Sequence, residues 1–175
     1  MNRNIARRIG IGVLTVILMI GMSVSAFAAS SPGSENEALN IALKSAGLKK
    51  SEIKKIEVEK EKNYEIEFVR KSNGAEYDFE ISAKDGRILE KSVDYKYKKT
   101  KSKKKIGKEK ARKVVAKASG NSYNVIKKGS CKYTYKNKQG KYEVKFRTTN
   151  YKYEYELLAP NGKIIEYDYE YTGTR

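Results

Sequence analysis

Tyr77 to Glu90 reads YDFEISAKDGRILE, and Tyr153 to Glu166 reads YEYELLAPNGKIIE. At an offset of 76 residues the two stretches are identical at six of 14 positions and conservative at six more, which marks an internal duplication. Within each, apolar and charged residues alternate with the two-residue period of a strand, and Asp85-Gly86 or Asn161-Gly162 supplies the hairpin turn into a second apolar pair. The match extends upstream with small gaps. Tyr64-Glu-Ile-Glu-Phe68 corresponds to Tyr142-Glu-Val-Lys-Phe146, and Ala38 to Gly47 corresponds to Ala111 to Gly120.

The upstream pair has a different period. Ser34 with Glu37 forms a capping box; Ala38, Ile41, Ala42 and Ser45 make one stripe with Leu39, Leu43 and Ala46 beside it, and Gly47 ends the helix. The second helix starts near Gly107, places Ala111, Val114, Val115 and Ala118 inward and stops at Gly120. Alternation follows each helix. Ile56 and Val58, Tyr64 to Phe68, and Tyr77 to Ile81 form the first set; Cys131 to Tyr135, Tyr142 to Phe146, and Tyr153 to Leu157 form the second. The expected fold is α+β: two tandem repeats, each with one helix packed on a roughly four-stranded antiparallel sheet.

Residues 1–28 stand outside that pattern. Arg3, Arg7 and Arg8 precede an apolar run from Ile9 to Val24, and Ala26-Phe27-Ala28 makes an A-x-A cleavage site, so a secretory signal peptide is expected. The run is 16 residues, short of the roughly 20 a spanning helix needs. No lipobox cysteine stands near the cleavage site, so no lipid anchor is expected. The domain plan is therefore a signal peptide at 1–28, a first repeat at 29–95, a Lys-rich linker at 96–106 and a second repeat at 107–175.

Charge divides along the same line. The expected mature chain carries 35 Lys and Arg against 21 Asp and Glu, a net of +14. Residues 30–95 have 14 acids and 12 bases, whereas residues 96–175 have 7 acids and 23 bases. Between Lys96 and Lys113 eleven basic residues face only Glu109, so self-repulsion predicts a flexible start to the linker. Composition also removes chemistries. Without any His, and with Cys131 alone, the chain has no Ser-His-Asp or Cys-His pair, no His-ligated zinc, no Cys₄ site and no internal disulfide. No cofactor, metal or catalytic residue is expected.

The whole pattern is now on view: an Ala-rich helix ending in Ala-Gly, a strand, a Tyr-Glu-Ile/Val-x-Phe strand, then a hairpin built on Ala-x-Asp/Asn-Gly-x-Ile. Over nearly all of residues 35–171 it resembles the PepSY domain, occurring twice. The second copy departs by Pro160, by extra tyrosines and by a longer helix-to-strand loop at Asn121–Gly129. The resemblance implies a secreted or envelope domain of the kind found in metallopeptidase propeptides, which restrain peptidases, with a shape similar to the tandem-repeat β-lactamase inhibitor. It brings no catalytic or ligand residues.

The outward strand positions are the candidate docking residues: Glu57, Glu59, Glu65, Glu67, Asp78 and Glu80 in the first repeat, and Lys132, Lys145, Arg147 and Lys152 in the second. As an acid/base pair or calcium site the carboxylates lack any fixed ligand loop, and ordinary strand alternation accounts for them. Lys96, Lys98, Lys99, Lys101, Lys103, Lys104, Lys105 and Lys108 are candidate contacts for anionic lipid or wall polymer. Tyr–Lys interleaving such as Lys132 to Lys136 has the look of a stacking surface for nucleic acid. Alternation explains it without a ligand, as it explains Cys131 as a small core residue, so neither nucleic acid nor a small-molecule substrate is expected. The expected function is a non-catalytic secreted or envelope binding module acting on a secreted peptidase or another envelope protein; the alternative is a basic protein held on anionic envelope polymers.

Overall fold

The computed structural model describes residues 31–99 and 102–173. The expected signal peptide and Lys101 lie outside the described residues. Among them, no helix is long and apolar enough to cross a membrane.

Helix α1 (Glu35–Ala46) begins at Ser34, whose Oγ accepts from the Glu37 N–H at 3.3 Å. The Glu37 carboxylate reaches one residue further back than a capping box requires and accepts from the Gly33 N–H at 2.6 Å. Gly47 adopts φ 65°, and the Gly47 and Leu48 N–H groups close onto the Lys44 and Leu43 carbonyls, a Schellman ending. A 3-10 turn (Lys50–Glu52) leads into β1 (Ile53–Lys60), β2 (Tyr64–Arg70), β3 (Glu76–Ile81) and β4 (Ile88–Asp94). Helix α2 (Lys108–Ser119) is followed by α3 (Tyr123–Lys128), then β5 (Ser130–Lys136), β6 (Gln139–Arg147), β7 (Tyr151–Leu158) and β8 (Ile164–Tyr171). The segment Asn121–Gly129, expected to be a loop, thus holds a short helix that buries Ile126 against the second core.

All eight strands form one antiparallel sheet in the order β1-β2-β3-β4-β8-β7-β6-β5. The expectation of a separate, roughly four-stranded sheet for each helix is corrected by the pairing of β4 with β8, from Glu90↔Glu170 to Asp94↔Glu166. The physical reason is that β4 and β8 each end a meander with one edge unpaired. Joining them satisfies both rows of backbone donors and acceptors.

The helices share one face of this sheet. Helix α1 packs on β1, β2 and β3; α2 packs on β5 and β6, and α3 on β6. Ala38, Leu39 and Ala42 of α1 share a core with Tyr64, Ile66, Phe68, Phe79 and Ile81 of the sheet. Ala111 and Val115 of α2 share a second core with Val144, Phe146, Tyr155 and Leu157 of the sheet. Ile41, Val114 and Ala118 sit at the margins, half-buried. Ile88, Tyr95 and Tyr167 touch both clusters, so the two cores meet over the β4–β8 seam.

Three departures from simple alternation have local causes. Lys55 takes φ 51° where the β1–β2 register shifts, and Ile56 turns out to 38% exposure instead of facing the core. Tyr135, near the end of edge strand β5, is 45% exposed. Lys91 takes an inward position on β4 at 5% exposure; its Nζ donates to the Ser45 carbonyl at 3.1 Å and to its Oγ at 3.3 Å, and lies 5.2 Å from the Phe79 ring centroid. Burial lowers the Lys91 pKa to about 8, and the cation sits against the carbonyl end of α1.

The described residues of the Lys-rich segment form no helix or named strand but are fastened. The Tyr95 N–H donates to the Ile165 carbonyl at 2.8 Å, and the Ile106 N–H to the Ala159 carbonyl at 2.9 Å. Ser102 forms a bridge to Gln139. The segment's described residues are therefore held at one end of the sheet, beside β8, β6 and the turn after β7.

Candidate binding face

Because side chains alternate across a pleated strand, the sheet residues that do not enter the cores stand together on the opposite face. Strand register orders them in rows. One row runs Glu57, Glu67, Asp78, Ser92, Asp168, Glu154, Lys145 and Ser130, through all eight strands. A second runs Glu59, Glu65, Glu80, Glu90, Glu170, Lys152 and Arg147. A third, nearer the Lys-rich segment, runs Glu76, Asp94, Glu166, Glu156, Glu143 and Lys132. All ten docking candidates read from the sequence lie on this one face. The rows gather 15 of the chain's 21 carboxylates.

The face is divided electrostatically. On β6 and β7 three cations are engaged: Lys145 Nζ lies 2.6 Å from Glu154 and 3.6 Å from Glu143, Lys141 Nζ 2.7 Å from Glu156, and Lys152 Nζ 2.9 Å from Glu170. On β1 to β4 and β8 the carboxylates face one another. Glu57, Glu59, Glu65, Glu67, Asp78, Glu90, Glu166 and Asp168 form no ion pair among the described residues, and Glu80 accepts only from the Asn63 amide at 2.6 Å. Partial burial and then neighbouring carboxylates (Glu76, Glu90 and Asp94) raise the Asp78 pKa. The same causes raise Glu166, and lift Asp168 to about 6 beside Glu154, Glu166 and Glu90. Like charges directly opposite on neighbouring strands destabilise a sheet.

No group of three or more acidic or thiol side chains is placed to hold a metal ion among the described residues. The carboxylates stand side by side along the pleat and do not converge. Cys131 is buried with its thiol pKa raised, chiefly by desolvation. What the face offers is a broad charged surface.

Of the polyanion candidates, Lys96 is committed to Glu76 at 3.2 Å and Lys105 lies 3.9 Å from the Tyr133 ring centroid. Lys98, Lys99, Lys103, Lys104 and Lys108 are exposed. The sequence reading missed the carboxylates of β4, β7 and β8, among them Glu90, Glu154, Asp168 and Glu170. Their outward phase was legible, but the β4–β8 pairing that sets them beside the β1–β3 acids was not.

Among the described residues, fold and face together define an α+β arrangement with three helices on one side of an antiparallel sheet and, on the other, a charged surface that none of these helices covers. Residues 32–91, from the approach to α1 into β4, match the PepSY family model, described as Peptidase propeptide and YPEB domain. No curated protein matches the chain. Among solved structures, the Bacillus megaterium YpeB C-terminal domain is similar at 16% identity and a TM-score of 0.46, over 77% of this chain; the chain spans 62% of that structure's length. A candidate lipoprotein from Clostridium difficile 630 is similar at 15% identity and a TM-score of 0.30, over 86% of this chain and 99% of that one.

Proposed function

We propose that the chain is a secreted or cell-envelope binding module without chemistry of its own, which docks a protein partner on the open face of its sheet. The partner class is a secreted peptidase or another envelope protein, held or restrained by the contact. In this reading residues 107–175 are a second PepSY-like repeat, joined to the first through β4 and β8 so that two small sheet faces become one. The observation that carries it is the uncovered, eight-stranded face with its rows of outward charged residues. A surface of that breadth suits protein docking, and its charge selects among partners. The test is capture from the native culture supernatant on immobilised mature chain, beside the variant Glu65→Lys, Glu67→Lys, Glu80→Lys. Proteins retained by the wild type and lost by the folded variant support the reading; equal retention overturns it.

A second reading rests on a separate observation, the exposure of Lys98, Lys99, Lys103, Lys104, Lys105 and Lys108. They would hold the mature chain on anionic lipid or wall polymer, each near-surface Lys contributing about 1 kcal/mol at an anionic membrane. The two readings use different surfaces and are compatible.

A further inference from the structure

One molecule presents both members of a complementary pair: uncompensated carboxylates on β1 to β4, and an exposed run of lysines between β4 and α2. We propose that the Lys-rich segment of one molecule docks on the carboxylate rows of a second copy. The proposal rests on the reading of the open face as a docking surface and names an occupant for it.

Three observations point to a second copy. In its own molecule Lys96 at the start of the segment already takes a carboxylate of this sheet, Glu76, at 3.2 Å, so segment and face are chemically matched. Lys98, Lys99, Lys103 and Lys104 stay exposed and form no ion pair with the sheet among the described residues, while the Tyr95–Ile165 and Ile106–Ala159 hydrogen bonds fix the two ends of the segment at the strand ends. The row containing Glu59, Glu65, Glu80 and Glu90 lies four residues along β3 from the row containing Glu76, about 13 Å at ordinary strand rise. A second copy, fastened in the same way to its own sheet, can bring its exposed lysines to this face as a separate body. Fully extended, residues 98–105 would span about 26 Å, and the five strands carrying the carboxylates are about 19 Å across. One copy's lysines thus have the reach to cross the whole acidic sector of the other.

The same contact relieves a cost internal to the fold. Glu59, Glu65 and Glu80 are direct cross-strand neighbours, as are Glu57, Glu67 and Asp78, and covering cations replace that repulsion with attraction. The net charge of +14 on the expected mature chain opposes association at long range. At about 0.1 M salt the Debye length is about 10 Å, so this repulsion is screened while charges in contact still attract.

Sedimentation velocity of the mature chain at about 0.1 M and about 1 M salt tests the proposal, beside two variants whose folding is verified by circular dichroism. The face variant is Glu59→Lys, Glu65→Lys, Glu80→Lys; the segment variant is Lys98→Gln, Lys99→Gln, Lys103→Gln, Lys104→Gln. The wild type is expected to associate with rising concentration at the lower salt and to dissociate at the higher. Each variant alone is expected to be monomeric, while an equimolar mixture associates again, since one supplies the face and the other the segment. A monomeric wild type, a variant that associates like wild type, or a mixture that fails to recover overturns the proposal. A monomeric wild type that still captures a supernatant protein through this face overturns self-association alone and leaves the docking reading standing.

Discussion

Phe79 shows how much one side chain carries. It is 4% exposed and its ring stacks on Phe68 at 5.8 Å. Phe79→Ala should cost about 3 to 5 kcal/mol, the range for truncating a large buried aromatic. Chemical denaturation measures it, and a loss no larger than that of a surface substitution would remove Phe79 from the core. Asp168 makes the opposite kind of prediction. Its folded pKa is raised to about 6 from an ordinary 3.8, so the folded state holds the proton more tightly than the unfolded one. Stability contributed by this group is therefore greatest at low pH and is lost as pH rises through the interval from about 4 to about 6. Asp168→Asn should raise the melting temperature at pH 7.5 more than at pH 4, read as the difference between variant and wild type at each pH. No pH dependence of that difference would contradict the electrostatic account of the row. Lys91 marks a limit of sequence reading at this scale. Strand phase puts it on the inward side of β4, but nothing in its neighbours announces the Ser45 carbonyl that receives it, because that partner is 46 residues away.

At the scale of elements, the helices and strands were largely legible because each has its own period and its own stop. Ser34, Gly47 and Gly120 bound the helices where the sequence reading puts them, and Asp85-Gly86 and Asn161-Gly162 fall in the turns before β4 and β8. Helix α3 was not legible: six residues give too few turns for an apolar period, and its single buried side chain, Ile126, is fixed by tertiary contact. The Lys-rich segment was legible as charge but not as an anchored strap, since its anchors are backbone hydrogen bonds to β8 and the turn after β7. The lysines of this segment still make a prediction. Replacing Lys101, Lys103, Lys104 and Lys105 by Gln should release the mature chain from anionic vesicles at low salt with the melting temperature nearly unchanged. Equal retention in a vesicle co-sedimentation assay, or retention indifferent to salt, would exclude the segment as the contact.

At the scale of the whole molecule, the β4–β8 seam turns two local patterns into one body. It was the least legible feature, because alternation fixes which face a residue takes and says nothing of which edge meets which. With backbone pairing from Glu90 to Asp94 and a shared core at Ile88, Tyr95 and Tyr167, the two halves should unfold together. Calorimetry should give a van't Hoff enthalpy about equal to the calorimetric one; a value near half would mean two independent units. The seam also makes the face, since it sets the acids of β1 to β4 beside those of β8 on a single surface. The claim that this surface is the docking site is tested most directly by association kinetics with the protein captured from the supernatant, comparing wild type with Glu65→Lys, Glu67→Lys, Glu80→Lys. The account predicts association slowed about tenfold or more in the variant, with a melting temperature equal to or above wild type because facing carboxylates have been relieved. An unchanged association rate in a variant of undiminished stability would contradict it and move the contact to an edge strand.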